Sequence, residues 1–303
     1  MTQGQREEWL KEVICRLAIT GGVGHSEASP LMLAIHLLAG KTECSSWGVD
    51  EHKAWLVTPS LGSDEYLPLF FRQDASFQWE VIRDWLSVKR GTCVSYVPLT
   101  VAEAFRKGKQ FRCEMMDYDF LVKGSFNGAG EERWCGGKWK SVRADMRKTK
   151  AVPVVPTLEE FASLDALWAK QWTEAGKKNL SFRRVHKGDR RSQIQWIADN
   201  QKYLSDLGIR WNLCGWSVDG VLASAQMFTP ITGNSFYSFS HRMDKSRAEG
   251  FMCFEEMDRA FQLPCYHGQV MNDGNAIGNT NLRLRKEKYS YGRLNHYRVT
   301  YAG

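Results

Sequence analysis

The chain has 303 residues, 43% of them hydrophobic and including 12 tryptophans, so it can bury a sizeable core and is not a disordered chain. Its net charge of +7, from 41 basic and 34 acidic side chains, favours nucleic acid, an anionic membrane surface or a phosphate-bearing cofactor without choosing among them. The eight cysteines contain no CxxC pair, which argues against a zinc ribbon or finger, and no metal site is expected.

Met1 is followed by the polar "TQGQREEWLKE", which is unlike a secretory leader. The longest apolar run, "PLMLAIHLLAG", contains His36 and falls short of the ~20 residues that span a bilayer, so no membrane span is expected. Scattered thiols in such a chain imply a soluble, cytoplasmic protein. The first half mixes elements. "EHKAWLVTPSL" and "YLPLFFRQ" predict strands, and "SFQWEVIRDWLSVKRG" predicts a helix closed by Gly91. "TCVSYVPL" is a strand, "TVAEAFRKG" a short helix, and "FRCEMMDYDFLV" one or two strands. The polar, Gly-rich "GSFNGAGEERWCGG" (124–137) is read as a connecting segment between domains at 1–130 and 131–303.

In the second half "AVPVVP" is a short β-branched run, and Thr157 with Glu160 forms a capping box for the helix that follows. Leu158, Phe161, Leu164, Trp168 and Trp172 recur there at helical spacing. A second helix is predicted from near Asp189 to before Gly208, burying Ile194, Ile197, Leu204 and Leu207. "IRWNLCGWSV" and "VLASAQMF" flank Asp219-Gly220, a dipeptide suited to the positive φ angles of a tight hairpin. "SFYSFSHRM" is a third antiparallel strand, expected to be central in a domain running from about residue 150 to the end. A helix entered near Gly250, a short strand "YHGQVMN", a helix over "IGNTNLRLRKEKY" and a terminal strand "NHYRVTY" complete the chain.

"RAEG", from Arg247 to Gly250, sits where that third strand hands over to a helix. A glycine at a helix entrance lets backbone amides approach a ligand, the helix N-terminus carries partial positive charge, and arginine offers a fork of donors to phosphate. R-x-x-G alone also describes a plain loop glycine beside a solvated arginine. Within this order of elements it resembles the pyrophosphate-binding segment of the GNAT acyltransferases, Q/R-x-x-G-x-G/A, with Met252 in place of the second small residue. "DGNAIGNTNLRLRKEKYSY" resembles the D-G-x(n)-G-L-R-x-x-K-x-x-F/Y stretch of the C-terminal domain of phosphatidylglycerol lysyltransferases. Asp273, Gly274, Leu282, Arg283, Lys286 and Tyr289 match, whereas Asn281 replaces a glycine. "MDYDFLVKG" followed by "GGKWKSVRADMRK" resembles the segment joining that family's two halves, with Gly137, Lys138, Lys140 and Arg143 matching.

The resemblance implies an α/β (α+β) chain of tandem GNAT-like domains, each a mixed, mostly antiparallel sheet flanked by helices, as in the Fem-type aminoacyltransferases. It implies an acyl- or aminoacyltransferase using acyl-CoA (acetyl-CoA included) or aminoacyl-tRNA. The acceptor would be an amine or hydroxyl on a small molecule, a peptide or a modified nucleic-acid base. Asp273 could accept a proton from, or hold, an attacking ammonium, and Tyr289 could protonate the leaving group. Lys286 or Arg283 could stabilise the oxyanion or grip a donor phosphate. Arg247 and the backbone of Gly250, Phe251 and Met252 would bind the donor, with Asn272 and the backbone near Ser240 as further donors. His241, at a strand end, is read as structural. Arg285, Lys288 and Arg298 are read as a solvated charged face. The competing possibility is a non-catalytic nucleic-acid-binding protein using "FRRVHKGDRR" (182–191), "KSVRADMRKTK" (140–150) and the basic, tyrosine-rich tail.

Overall fold

The polar N-terminal segment folds as α1 (Gln3–Ile19), opened by a Thr2–Gln5 capping box, with Trp9, Leu10, Val13 and Leu17 buried at helical spacing. A computed structural model describes residues 1–40, 43–60, 63–123, 137–177, 180, 183–185, 189–275 and 280–303. The connecting segment read over 124–137 lies, apart from Gly137, outside the described residues. The apolar run becomes α2 (Pro30–Ala34), capped by Ser29, and a wider π turn over Ile35–Ala39. Leu31, Leu33, Ile35 and Leu37 are buried, Leu38 is half-buried and His36 faces solvent.

β1 (Ser46–Val49), β2 (Lys53–Ser60) and β3 (Ser63–Phe70) follow, then α3 (Ala75–Leu86), β4 (Cys93–Pro98), α4 (Leu99–Arg106) and β5 (Phe111–Lys123). α3 ends at Leu86, and Gly91 serves the next turn at φ 87°. After the connecting segment come α5 (Lys140–Lys148), β6 (Val152–Val154), α6 (Leu158–Glu174), α7 (Gln193–Asp199) and α8 (Gln201–Asp206). The single helix expected before Gly208 is thus two, broken at Asn200 (φ −117°, ψ 18°). β7 (Asn212–Val218), β8 (Val221–Thr232) and β9 (Ser235–Met243) lead to α9 (Met252–Gln262), β10 (Val270–Asn272), α10 (Thr280–Tyr289) and β11 (Gly292–Tyr301). Asp219 (φ 51°) and Gly220 (φ 76°) make the β7–β8 hairpin turn, where both positions require left-handed backbone.

Contacts divide the chain into two units. The first comprises Met1–Val122, Ile231–Ser235 and Asn272–Gly303; the second comprises Lys123–Pro230 and Phe236–Met271. In the first, the strand order is β1-β2-β3-β4-β11-β5, parallel at β3/β4 and antiparallel at the other pairs. β11 inserts between β4 and β5, and its Tyr297 and Val299 join Ile82, Leu86, Val97 and Phe105 in one apolar core. Residues 272–303 therefore pack with the N-terminal unit, a different grouping from the 131–303 domain read from the sequence. A strand completing a distant sheet leaves no local mark in its own residues. In the second unit the order is β10-β9-β8-β7-β6, with β9 interior.

The second unit carries a buried charge cluster. Asp165 of α6 is fully buried and accepts from Arg183 Nε at 2.8 Å and Arg242 Nε at 2.6 Å. Burial alone would raise its carboxyl pKa, but the two guanidinium groups outweigh that and hold it below the usual carboxylate range. Arg242 also lies over the Trp168 ring at 4.5 Å. Asp165→Ala strands two cations in a poorly solvated site, so it should destabilise the chain by about 3–5 kcal/mol. Urea denaturation checks this: the midpoint should fall with little change in slope.

Candidate functional site

Asp119 and Phe120 are consecutive residues of β5 and so face opposite sides of the sheet. Each side of the first unit carries its own polar cluster. On the Phe120 side, the Asp273 amide donates to the Phe120 carbonyl at 2.8 Å, and Gly274 (φ 61°) returns a carbonyl to the Phe120 amide at 3.0 Å. This seats Asp273 just past β10, beneath α10. Its Oδ2 accepts from the Tyr289 hydroxyl at 2.5 Å and lies 3.3 Å from Lys286 Nζ. Lys286 is buried and also donates to the backbone carbonyls of Asp273 and Gly274. The three residues expected to be catalytic are thus brought together, at the helical spacing of three that Lys286 and Tyr289 share on α10. Arg283 is on the same helix but exposed, 3.7 Å from Glu287, and does not join them.

On the other side, Asp119 is almost fully buried and accepts four hydrogen bonds. The donors are the Ser26 amide (2.8 Å), the Ser26 hydroxyl (3.1 Å), Asn272 Nδ2 (2.7 Å) and His296 Nε2 (3.2 Å). Burial would raise the Asp119 carboxyl pKa; His296, Asn272 and the Ser26 amide outweigh it and hold it below its ordinary value. Asn272, expected to bind substrate, is committed within the protein: its amide also donates to the Gly24 carbonyl at 3.0 Å, and its Oδ1 accepts from the Gly274 amide at 2.8 Å. Gly24 is required here, because a Cβ would collide with the Ile231 side chain. Next to it His25 stacks on Tyr96, ring centroids 4.5 Å apart and 10° from parallel, with His296 edge-on to both. Sequence reasoning missed Asp119, His296, His25 and Tyr96. The only local signal was an aspartate in the otherwise apolar end of "MDYDFLVKG", and its partners lie 93 to 177 residues away.

The expected donor loop lies in the second unit. Arg247 Nη1 donates to Asp244 Oδ2 at 2.6 Å, and Asp244 also gathers the Ser246 amide, the Ser246 hydroxyl and Gln171. These partners outweigh burial and hold the Asp244 carboxyl down at about 2. Gly250 has open space where a Cβ would stand and no positive φ, so its backbone does not demand glycine. Phe251 and Met252 are fully buried, Phe251 against Trp216, leaving only their backbone for a ligand. Ser240 is half-buried on β9. His241 Nε2 lies 3.0 Å from the Ser224 hydroxyl and 3.3 Å from Glu256, but both contacts fall on one ring nitrogen, so no Ser-His-Glu relay exists.

Several cations of the basic stretch at 182–191 and of the tail are ion-paired where they are described. Arg183 pairs with Asp165, Arg191 with Asp189 and Asp199, and Arg293 with Glu287. Arg298, read as solvated, instead pairs with Glu65 at 2.7 Å. Residues 182 and 186–188 of "FRRVHKGDRR" lie outside the described residues. Among the described residues no group of His, Cys, Asp and Glu is arranged to hold a metal ion, and no helix is long and apolar enough to cross a membrane.

His25 makes this side of the sheet sensitive to acid. Burial first, and then the neighbouring His296, push its pKa from 6.5 down to about 3, against the pull of Asp119 and the Pro68 carbonyl. Between those values the unfolded chain binds a proton that the folded chain refuses. Stability is therefore complete above about pH 6.5 and is lost as pH falls toward 3, by at most about 1.4 kcal/mol per unit. His25→Phe keeps a stacked ring and should flatten this part of the curve of unfolding free energy against pH, measured by urea titration at each pH. An unaltered slope would assign the acid loss to other groups.

No sequence family matches the chain, and no curated protein matches it at a significant level. Solved structures match over its whole length. A conserved protein of unknown function from Bacteroides thetaiotaomicron superposes with a TM-score of 0.72 at 16% identity, covering 99% of this chain and 98% of the other. The C-terminal domain of a protein assigned as lysylphosphatidylglycerol synthetase from Agrobacterium fabrum gives 0.63 at 11% identity, covering 100% and 93%. FemX gives 0.57 at 9% identity, covering 98% and 96%. Over its full length the chain has the mixed α/β, mostly antiparallel fold of the lysylphosphatidylglycerol synthetase C-terminal domain and of FemX.

Proposed function

We propose that the chain is an acyl- or aminoacyltransferase that moves an acyl group from acyl-CoA or aminoacyl-tRNA to an amine or hydroxyl acceptor. The observation that carries this reading is the convergence of Asp273, Lys286 and Tyr289 at the end of β10. Acyl transfer breaks the donor's thioester or ester bond, forms an amide or ester with the acceptor, and moves one proton from the nucleophile to the leaving group. A carboxylate hydrogen-bonded to a phenol suits that transfer: Asp273 takes the acceptor's proton, Tyr289 protonates the leaving group, and the proton passes between them across 2.5 Å. Lys286, bound to two backbone carbonyls, holds Asp273 in place rather than reaching a substrate. Arg283, exposed on α10, is one cation that can meet a donor phosphate at the expense of its long contact with Glu287. Arg247 is a second phosphate candidate, for which Asp244 competes.

Asp273→Asn and Tyr289→Phe should each lower turnover roughly 100-fold, and the double variant should lose much less than the product of the two. Lys288→Ala, on the same helix, should keep near-normal turnover. Mass spectrometry of candidate acceptors incubated with acyl-CoA or aminoacyl-tRNA reads the product; equal, small losses from all the variants would refute this assignment. Arg247→Ala should weaken donor binding by about 1.5–3 kcal/mol in calorimetry if the guanidinium grips phosphate. Unchanged affinity would leave Arg247 only its loop-tying contact with Asp244.

A further inference from the structure

The buried charge cluster of the second unit does not balance. Asp165, fully buried on α6, brings one negative charge, and Arg183 and Arg242 bring two positive ones. Among the described residues no other carboxylate lies within ion-pair distance of either guanidinium. Asp165 has little more to offer: Oδ2 accepts from Arg183 Nε at 2.8 Å, Oδ1 accepts from Arg242 Nε at 2.6 Å, and the Ser192 hydroxyl also donates to it. One unmatched positive charge is left in a poorly solvated place. Burial first, joined by repulsion from Arg183, pushes the Arg242 pKa below its ordinary value although Asp165 pulls it up.

The donors are unmatched as well. A guanidinium carries five N–H groups on three nitrogens. Arg183 turns its Nε and Nη2 toward Asp165, and its Nη1 has no hydrogen-bond partner among the described residues. Arg242 spends Nε on Asp165 and Nη1 on the His241 carbonyl at 2.8 Å, and its Nη2 likewise has none. Neither of these nitrogens is sealed from solvent, and the two side chains are 16% and 13% exposed. The groups are not free to swing apart. They are tied to opposite oxygens of one carboxylate, and the Trp168 ring covers a face of Arg242 at 4.5 Å. Two like charges held together in this way favour an anion that touches both. A carboxylate is filled by one guanidinium fork, whereas a phosphate group has enough oxygens to accept from two at once.

We propose that Arg183 and Arg242 form a binding site for a phosphate group, free or esterified to a small molecule, whose oxygens accept from Arg183 Nη1 and Arg242 Nη2. This goes beyond the acyl-transfer reading and stands or falls on binding alone. The test follows the Arg183 and Arg242 Nε resonances of the full chain labelled with nitrogen-15 arginine. Inorganic phosphate is added against sodium chloride at constant ionic strength. Phosphate should shift both resonances saturably, and acetate should bind at least about 10-fold more weakly, the worth of one charge-assisted hydrogen bond. Arg183→Gln leaves a balanced Asp165–Arg242 pair, and it should weaken phosphate binding at the Arg242 resonance about 10-fold or more. Absence of a saturable shift, the same shift with added chloride, equal affinity for acetate, or undiminished affinity in Arg183→Gln each overturns the proposal. The wild-type titrations decide the matter even if the variant fails to fold.

Discussion

The buried carboxylate of Asp119 is the constraint on which the first unit depends. A charge removed from water must be matched by hydrogen bonds or it is expelled or protonated. Here the match comes from Ser26 before α2, Asn272 of β10 and His296 of β11, segments that share no stretch of sequence. One side chain on β5 therefore fixes where three distant parts of the chain must lie. The insertion of β11 between β4 and β5 follows the same logic, since it brings His296 within reach while burying Val299 and Tyr297. Loss of any one donor would leave a charged acceptor short of a partner in a place that water cannot reach.

Because side chains alternate along a strand, β5 separates two chemistries. One side of the sheet holds Asp273, Lys286 and Tyr289 around the turn after β10; the other holds the Asp119 network and the ring cage of His25, Tyr96 and His296. Asn272 and Asp273, adjacent in sequence, each belong to one of them. The fold is shared with a lysylphosphatidylglycerol synthetase C-terminal domain and with FemX, yet at 11% identity and below such likeness speaks for architecture alone. The side chains offer a carboxylate–phenol pair on one face and, on the other, an imidazole nitrogen with no hydrogen-bond partner among the described residues.

Local features were legible in the residues. The Thr157–Glu160 capping box forms with both of its reciprocal bonds, Asp219-Gly220 makes the hairpin turn, and "SFYSFSHRM" is β9 from first residue to last. Leu158, Phe161, Leu164 and Trp168 are buried on α6, whereas Trp172 is only half-buried and packs on Trp168 with Lys177 over its face. The break at Asn200 was hidden because Ile194, Ile197, Leu204 and Leu207 keep a helical period across it. Arg298 reads as part of a solvated face because its acidic partner is distant: Glu65 meets it only after 233 residues of chain have been folded back.

Caps, turns and amphipathic periods depend on bonds between residues two to four apart, so the sequence by itself determined most helices and strands, the hairpin, and the meeting of Lys286 and Tyr289 along one helix face. Which unit the last 32 residues join, which carboxylates are buried, and which histidine nitrogen has no hydrogen-bond partner among the described residues were decided only by the tertiary structure. Those outcomes depend on desolvation and strand insertion between segments far apart in the chain. The energies that settle them arise only when the backbone has brought the segments together, and no single stretch of residues records them.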